Sequence, residues 1–308
     1  MTRPTRQRGA ALLTAILVVA LGTILATNLL WLSTLDQRRT AAALASDQGI
    51  QYVLSAEGWV NDILQQDLED SPDADHLGEA WATQIEPLPI EGGYIYGSIV
   101  DLQGLFNLNN LLRPGGAEDE VMVQQFERLL RILEIDPMLV GPVIDWLDPD
   151  VEPRFPLSGE DDAYSRLEPQ YRVANGMMTT PSELLAISGF TPEIYARLAP
   201  YVTVLPMGTN LNANTAPQVV LASLFDEPDL NRAGDLVEQR GETGFESVRE
   251  TFEGLVSEEI LPRIDGVSEH FMLVGEVTIG DTTLTINSVL QRHESGRTRT
   301  LFRSFGVQ

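Results

Sequence analysis

Cysteine is absent from the 308 residues, which excludes disulfides, thiolate zinc sites, iron–sulfur clusters and a cysteine nucleophile. Histidine is scarce: His76, His270 and His293 stand far apart, so none has a partner nearby in sequence for acid–base work. No His-Glu-x-x-His, Gly-x-Ser-x-Gly or phosphate-binding glycine loop occurs, and no enzymatic activity is expected. Basic residues are few, 20 against 45 acidic ones, for a formal charge of −25. Such a charge repels phosphate backbones, so nucleic acid is not an expected partner. The hydrophobic fraction of 43% is that of a folded chain, long enough for two domains.

The first eight residues hold three arginines and no acidic side chain. Arg3, Arg6 and Arg8 precede Ala10 to Leu35, 26 positions without a charge and 19 of them hydrophobic. As a helix this run covers roughly 39 Å, enough to cross a bilayer. It is too long for the apolar stretch of a secretory signal, about 7–15 residues. The basic flank stays cytoplasmic, placing everything after Asp36 outside. The plain reading is a single-span anchor.

Arg8-Gly9-Ala10-Ala11-Leu12-Leu13-Thr14 carries more. A short basic leader ending in glycine directly before the apolar run resembles the leader of type IV pilins and of the pseudopilins of type II secretion. The resemblance implies cleavage between Gly9 and Ala10 by a prepilin peptidase, N-methylation of the new terminus and an inner-membrane location with the C-terminal part in the periplasm. In these families the fifth mature residue is normally a glutamate that neutralises the terminal ammonium of a neighbouring subunit. Here that position is Thr14. Unpaired charge in lipid costs several kcal/mol, so the position bears on assembly. A subunit without the glutamate can end a fibre but not repeat along it. Among pseudopilins this departure marks the minor subunit K, the GspK family.

Beyond Leu35 the chain continues as Leu44, Ile50, Val53, Leu54, Val60, Ile63, Leu64 and Leu68, at helical spacings with no proline before Pro72. One helix is expected from about residue 10 to 68, then a loop over 69 to 90. Strands are expected at Tyr94–Leu102, Phe271–Ile279, Thr282–Arg292 and Thr298–Phe305. Between the first strand and the last three, short helices are expected at 118–134, 137–147, 181–188, 192–198, 216–225, 228–239 and 245–252. The expected fold class is α+β: a pilin-like long N-terminal helix on a small antiparallel sheet, with a large all-α domain inserted in the sheet domain. The expected divisions are a leader at 1–9, the transmembrane half-helix at 10–35, the soluble half-helix and first part of the pilin-like domain at 36–105, the insertion at 106–268 and the closing strands at 269–308.

Asp145, Asp148, Asp150, Glu152, Glu160, Asp161 and Asp162 put seven carboxylates within eighteen residues, against Arg154 alone. Prolines 149, 153 and 156 keep the segment irregular. Calcium accepts six to eight oxygens in flexible geometry and suits such a loop, although Pro153 and Gly159 rule out an EF-hand. A solvated acidic loop is the competing reading. The segments Asp-Trp-Leu-Asp-x-Asp and Gly-Glu-Asp-Asp-x-Tyr resemble K pseudopilins, and the resemblance implies calcium there. Asp148, Asp150, Glu160 and Asp161 are the first-choice ligands, with Asp145, Glu152 and Asp162 in second rank, and the role is structural.

Residues 181 to 201 look like a helix-hairpin-helix with Gly189 in its turn, but Thr191 replaces the second glycine of DNA-binding versions and Arg197 is the segment's only base. A packing or docking unit is the expected use. Two asparagine-rich echoes, at 106–110 and 210–216, read as turns capping the helices that follow. The whole is expected to be a minor pseudopilin at the tip of the pseudopilus, with the I and J minor subunits and the major pseudopilin as partners, helping to start assembly for protein export. Alternatives are an anchored, calcium-stabilised protein binding exported substrates, a helix-hairpin-helix DNA-binding protein and an anchored hydrolase.

Overall fold

A computed structural model describes residues 8–83, 86–154, 157 and 160–307, with Arg8, Gly9 and Val307 as backbone alone. Residues 1–7 of the expected leader, and Pro156 and Gly159 of the acidic loop, lie outside the described residues. The leading helix α1 runs unbroken over Arg8–Asp70, 63 residues, about 95 Å at the usual rise. Its N-terminal part is bare: Leu12, Leu17, Leu25, Leu30 and Trp31 are all exposed. This is one helix long and apolar enough to cross a membrane.

The C-terminal half of α1 packs on a five-stranded antiparallel sheet of order β1-β2-β7-β8-β9. Its strands are β1 (Leu88–Ile90), β2 (Gly93–Asp101), β7 (His270–Ile279), β8 (Thr282–Arg292) and β9 (Thr298–Val307). The expected loop over 69–90 is thus interrupted by a 3-10 turn at Ala80–Ala82 and by β1. Alternation puts Phe271, Leu273 and Val277 of β7 and Leu284, Ile286 and Leu290 of β8 on the helix side, where they meet Val53, Val60 and Leu64. Trp81 closes this core edge-on against Phe271, centroids 5.3 Å apart.

Two buried polar contacts fix the helix on the sheet. Glu57 Oε1 accepts from Ser288 Oγ at 2.5 Å and Arg303 Nε at 2.7 Å. Burial opposes ionisation of Glu57, yet the hydrogen bonds from Arg303 and Ser288 outweigh it, and the carboxyl sits below its ordinary 4.5. A lowered carboxylate pKa contributes stability that is present above 4.5 and lost as pH falls through the folded value. Glu57→Gln is therefore expected to cost about 2 kcal/mol at pH 7. The gap to the parent should close on acidification below 4.5 in urea unfolding curves; a pH-independent gap would contradict this ion pair. The second contact is Arg292, 2% exposed, whose Nη1 donates to Asp67 at 2.9 Å and whose Nη2 meets Asp75 at 2.6 Å.

The chain leaves the sheet after Asp101 and returns at His270. The intervening region holds α2 (Glu120–Ile132), α3 (Val140–Leu147), α4 (Asp161–Tyr164), α5 (Pro192–Leu198), α6 (Gln218–Ser223), α7 (Leu230–Arg240) and α8 (Val248–Phe252). It is helical but not purely so, because two parallel pairs of two-residue strands cross it: β3 (Phe106–Asn107) with β4 (Val202–Thr203), and β5 (Leu211–Asn212) with β6 (Ile264–Asp265). Residues 181–186 form a 3-10 turn rather than an α-helix. Gly189 has φ +90°, and a Cβ there would lie 2.5 Å from Leu139 Cδ2. The hairpin buries Leu184, Ile187, Phe190 and Leu198 in the core with α2 and α3, while Thr191 Oγ1 caps α5. It is thus used as a packing unit.

The asparagine echoes are one device used twice. Asn107 Oδ1 accepts from Asn109 N, and Asn212 Oδ1 from Asn214 N. Asn109 then accepts from Met178 N at 3.0 Å and donates to Leu205 O, while Asn214 accepts from Phe245 N at 2.8 Å and donates to Gly266 O. Each pair ties a short parallel ladder to a following turn, beyond the simple helix cap expected, and each serves its own apolar cluster, spanning 106–202 and 213–264. Truncating Asn214, 1% exposed, leaves Phe245 N without its acceptor and removes one of the two donors to Gly266 O, which keeps Asp75 N. Asn214→Ala is expected to destabilise by about 2–3 kcal/mol in denaturant unfolding, and an effect under about 0.5 kcal/mol would remove this role.

Candidate metal centre

The acidic segment is positioned by α3, whose residues are buried throughout so that its C-terminus points into the interior. Asp148 follows α3 as its capping residue and is 8% exposed. The chain then turns outward: Asp150 Oδ1 accepts from Glu152 N at 2.8 Å, and Asp150 O accepts from Asn175 Nδ2 at 2.8 Å. It returns at Glu160, the buried residue preceding α4. The floor is aromatic, with Tyr164 stacked on Tyr171 and edge-on to Trp146.

Asp148, Asp150 and Glu160 converge, each offering a carboxylate oxygen, with these oxygens within 4.8 Å of one another. Oxygens this close together can share one calcium ion, whose bonds to oxygen run about 2.3–2.6 Å. Burial, with Asp150, Asp145 and Glu160 nearby, pushes the Asp148 carboxyl up to about 7, and burial with Asp145 raises Glu160. Arg154, the one base of the run, is drawn away to Glu118. Asp148 Oδ1 is buried and accepts no hydrogen bond. Burying a carboxylate oxygen without a partner is costly, and a hard cation satisfies it. The donor set is all oxygen, which fits calcium or magnesium and disfavours softer ions.

The other candidates fall outside the trio. Asp145 is fully buried behind it and accepts from Arg154 N at 3.2 Å, so it acts on Asp148 through its charge. Asp161, a first-choice residue, is turned away: its Oδ1 accepts from Val173 N at 3.2 Å and its Oδ2 faces Arg172. Glu152 and Asp162 are exposed. Asn175 was not singled out from sequence. Its φ of +43° sets its amide against Asp150 O, and its Oδ1 is a second buried oxygen that accepts no hydrogen bond. The Asn175-Gly176 turn dipeptide was its signal.

At the other end of the molecule, Thr14 Oγ1 donates within its own helix to Ala11 O at 3.0 Å and Ala10 O at 3.2 Å. The hydroxyl is thus satisfied locally and leaves no polar group that needs a neighbour in lipid.

Comparison with known proteins agrees with this architecture. Two family models, both described as type II secretion system (T2SS) protein K, match residues 104–207 and 211–263, which are the territories of the two helical cores. The type II secretion system protein K of Pseudomonas aeruginosa is 35% identical, covering 97% of this chain and 93% of its own. That of Aeromonas hydrophila is 33% identical, covering 95% of each. In the solved GspK-GspI-GspJ complex of the type 2 secretion system from enterotoxigenic Escherichia coli, a chain 26% identical superposes with a TM-score of 0.78, over 87% of this chain and 99% of that one. With the long helix, the five-stranded sheet and the helical insertion all in place, the chain belongs to the type II secretion system protein K family.

Proposed function

We propose that this protein is a minor pseudopilin that ends the pseudopilus at its tip, in complex with I and J subunits, and helps to start fibre assembly for export of folded proteins. The observation that carries the reading is the near-complete likeness to the GspK chain of a GspK-GspI-GspJ complex. Two features of this chain support the terminal position. The helical region from residue 102 to 269 lies between two adjacent strands of the sheet, β2 and β7, and adds bulk that a repeating subunit has no room for. Thr14 brings no carboxylate to the ammonium of a neighbouring subunit.

The apolar part of α1 anchors the chain in the inner membrane, with the remainder in the periplasm, and a prepilin peptidase cuts between Gly9 and Ala10, which leaves the apolar helix in the bilayer. From there it enters the fibre against the major pseudopilin. Calcium held by Asp148, Asp150 and Glu160 ties the end of α3 to the start of α4, and its role is structural.

The test is co-purification. Full-length protein solubilised from membranes that also express I and J subunits should retain both through a salt wash; retention of neither, with capture of exported substrates instead, would favour an anchored binding protein. Thr14→Glu is expected to relax the restriction to the tip, lengthening pseudopili or lowering secretion. Unchanged fibre length and secretion would show that this position does not restrict the subunit.

A further inference from the structure

A second acidic cluster lies where α1 meets the sheet, far along the chain from the acidic loop. Asp67 belongs to the last turn of α1, Asp75 to the following loop and Glu79 to the residue before the 3-10 turn. All three are buried, and each offers an oxygen within 4.8 Å of the others. Arg292 reaches two of them: Nη1 takes Asp67 Oδ2, and Nη2 bridges both oxygens of Asp75. One guanidinium thus faces three buried carboxyl groups, and it reaches only two of them.

Glu79 is the residue that Arg292 does not reach. Its Oε2 accepts from Trp81 Nε1 at 2.8 Å and His76 N at 2.9 Å, whereas its Oε1 is buried and accepts no hydrogen bond. The side chain is 6% exposed, and His76 Nε2 stands 3.7 Å from Oε1. The imidazole is not a free ligand: its Nδ1 accepts from Gly78 N, so in the neutral ring Nε2 carries the proton. The donors present are therefore all carboxylate oxygens. Asp67 and Glu79 also line an open groove together with Asp62 and Asp70, which gives a cation an acidic approach and room for water ligands.

We infer that Asp67, Asp75 and Glu79 form a second hard-cation site, for calcium, at the foot of the long helix. The ion adds positive charge beside the carboxyl that Arg292 does not reach, gives Glu79 Oε1 a partner and completes its shell with water from the groove. Bound there, it clamps the loop from Ser71 to Glu79 between α1 and β8. The proposal does not depend on the acidic loop.

The test uses full-length protein in detergent carrying Asp148→Asn and Asp150→Asn, so that the trio in the inserted region is disabled. Equilibrium dialysis against calcium at physiological salt is expected to find one ion per chain, falling to none on adding Glu79→Gln. That variant retains an acceptor for Trp81, and a cooperative melt in chelator shows that it is folded. If it does not fold, Asp67→Asn decides, since it keeps an oxygen for Arg292 and should also lose the ion. A parent background that binds no calcium, or a folded variant that keeps its ion, overturns the site.

Discussion

Arg292→Met is expected to lower the unfolding free energy by about 3–5 kcal/mol, because it leaves buried carboxylates without their cation. Arg292 bonds Asp67, Asp75 and Ser268 O, and its guanidinium lies 4.9 Å over the Phe271 ring. Even with that charge in place, burial, Glu79 and Asp75 push the Asp67 carboxyl up to about 7. Methionine fills the volume of the arginine stem, so the loss reports charge and hydrogen bonds rather than a cavity. Arg292→Lys should fall between, since an ammonium cannot span Asp67 and Asp75 as the planar fork does. Chemical unfolding of the full chain in detergent, followed by tryptophan emission, checks the series. A methionine variant within about 1 kcal/mol of the parent would show that the cluster is not what holds the loop after α1 to the sheet.

The second large effect concerns the acidic loop. In the parent, calcium at a hundredfold excess over the dissociation constant of the proposed site is expected to add about 2.7 kcal/mol. For a domain of this size that is a rise of roughly 5–10 °C in melting temperature. Asp148→Asn with Asp150→Asn should abolish the part of the rise that belongs to the inserted region, and should raise stability in chelator by removing mutually repelling carboxylates. Differential scanning calorimetry with calcium and with chelator reads both signs. A double variant that still gains the full calcium increment, or that melts lower than the parent in chelator, would contradict a metal at this trio.

What the sequence revealed follows from how far its signals reach along the chain. The long helix was legible because charge vanishes from Ala10 to Leu35 and helical spacing carries on to Leu68. Strands β2, β7, β8 and β9 were legible because each is a run of nine or more residues rich in β-branched, aromatic and other apolar side chains, with turn residues separating the last three. Strand β1 was not, being three residues with a proline in the middle, tolerated because it lies at the sheet edge. The two-residue ladders carry no periodicity at all, so an all-helical insertion was the natural reading. At the candidate metal centre, Asp148 and Asp150 announced themselves by clustering, but Glu160 and Asp161 differ only in which way one residue faces as α4 begins. The cluster around Arg292 was out of reach, since Asp67 and Arg292 stand 225 positions apart and only the fold joins them.

The central claim, that this chain is handled and assembled as a pseudopilin, is tested most directly by the intact mass of the protein purified from the membranes of its own host. The account predicts a chain that begins at Ala10 and carries an added N-methyl group. A mass that retains residues 1 to 9 would contradict it, leaving a simple anchored protein with the same fold.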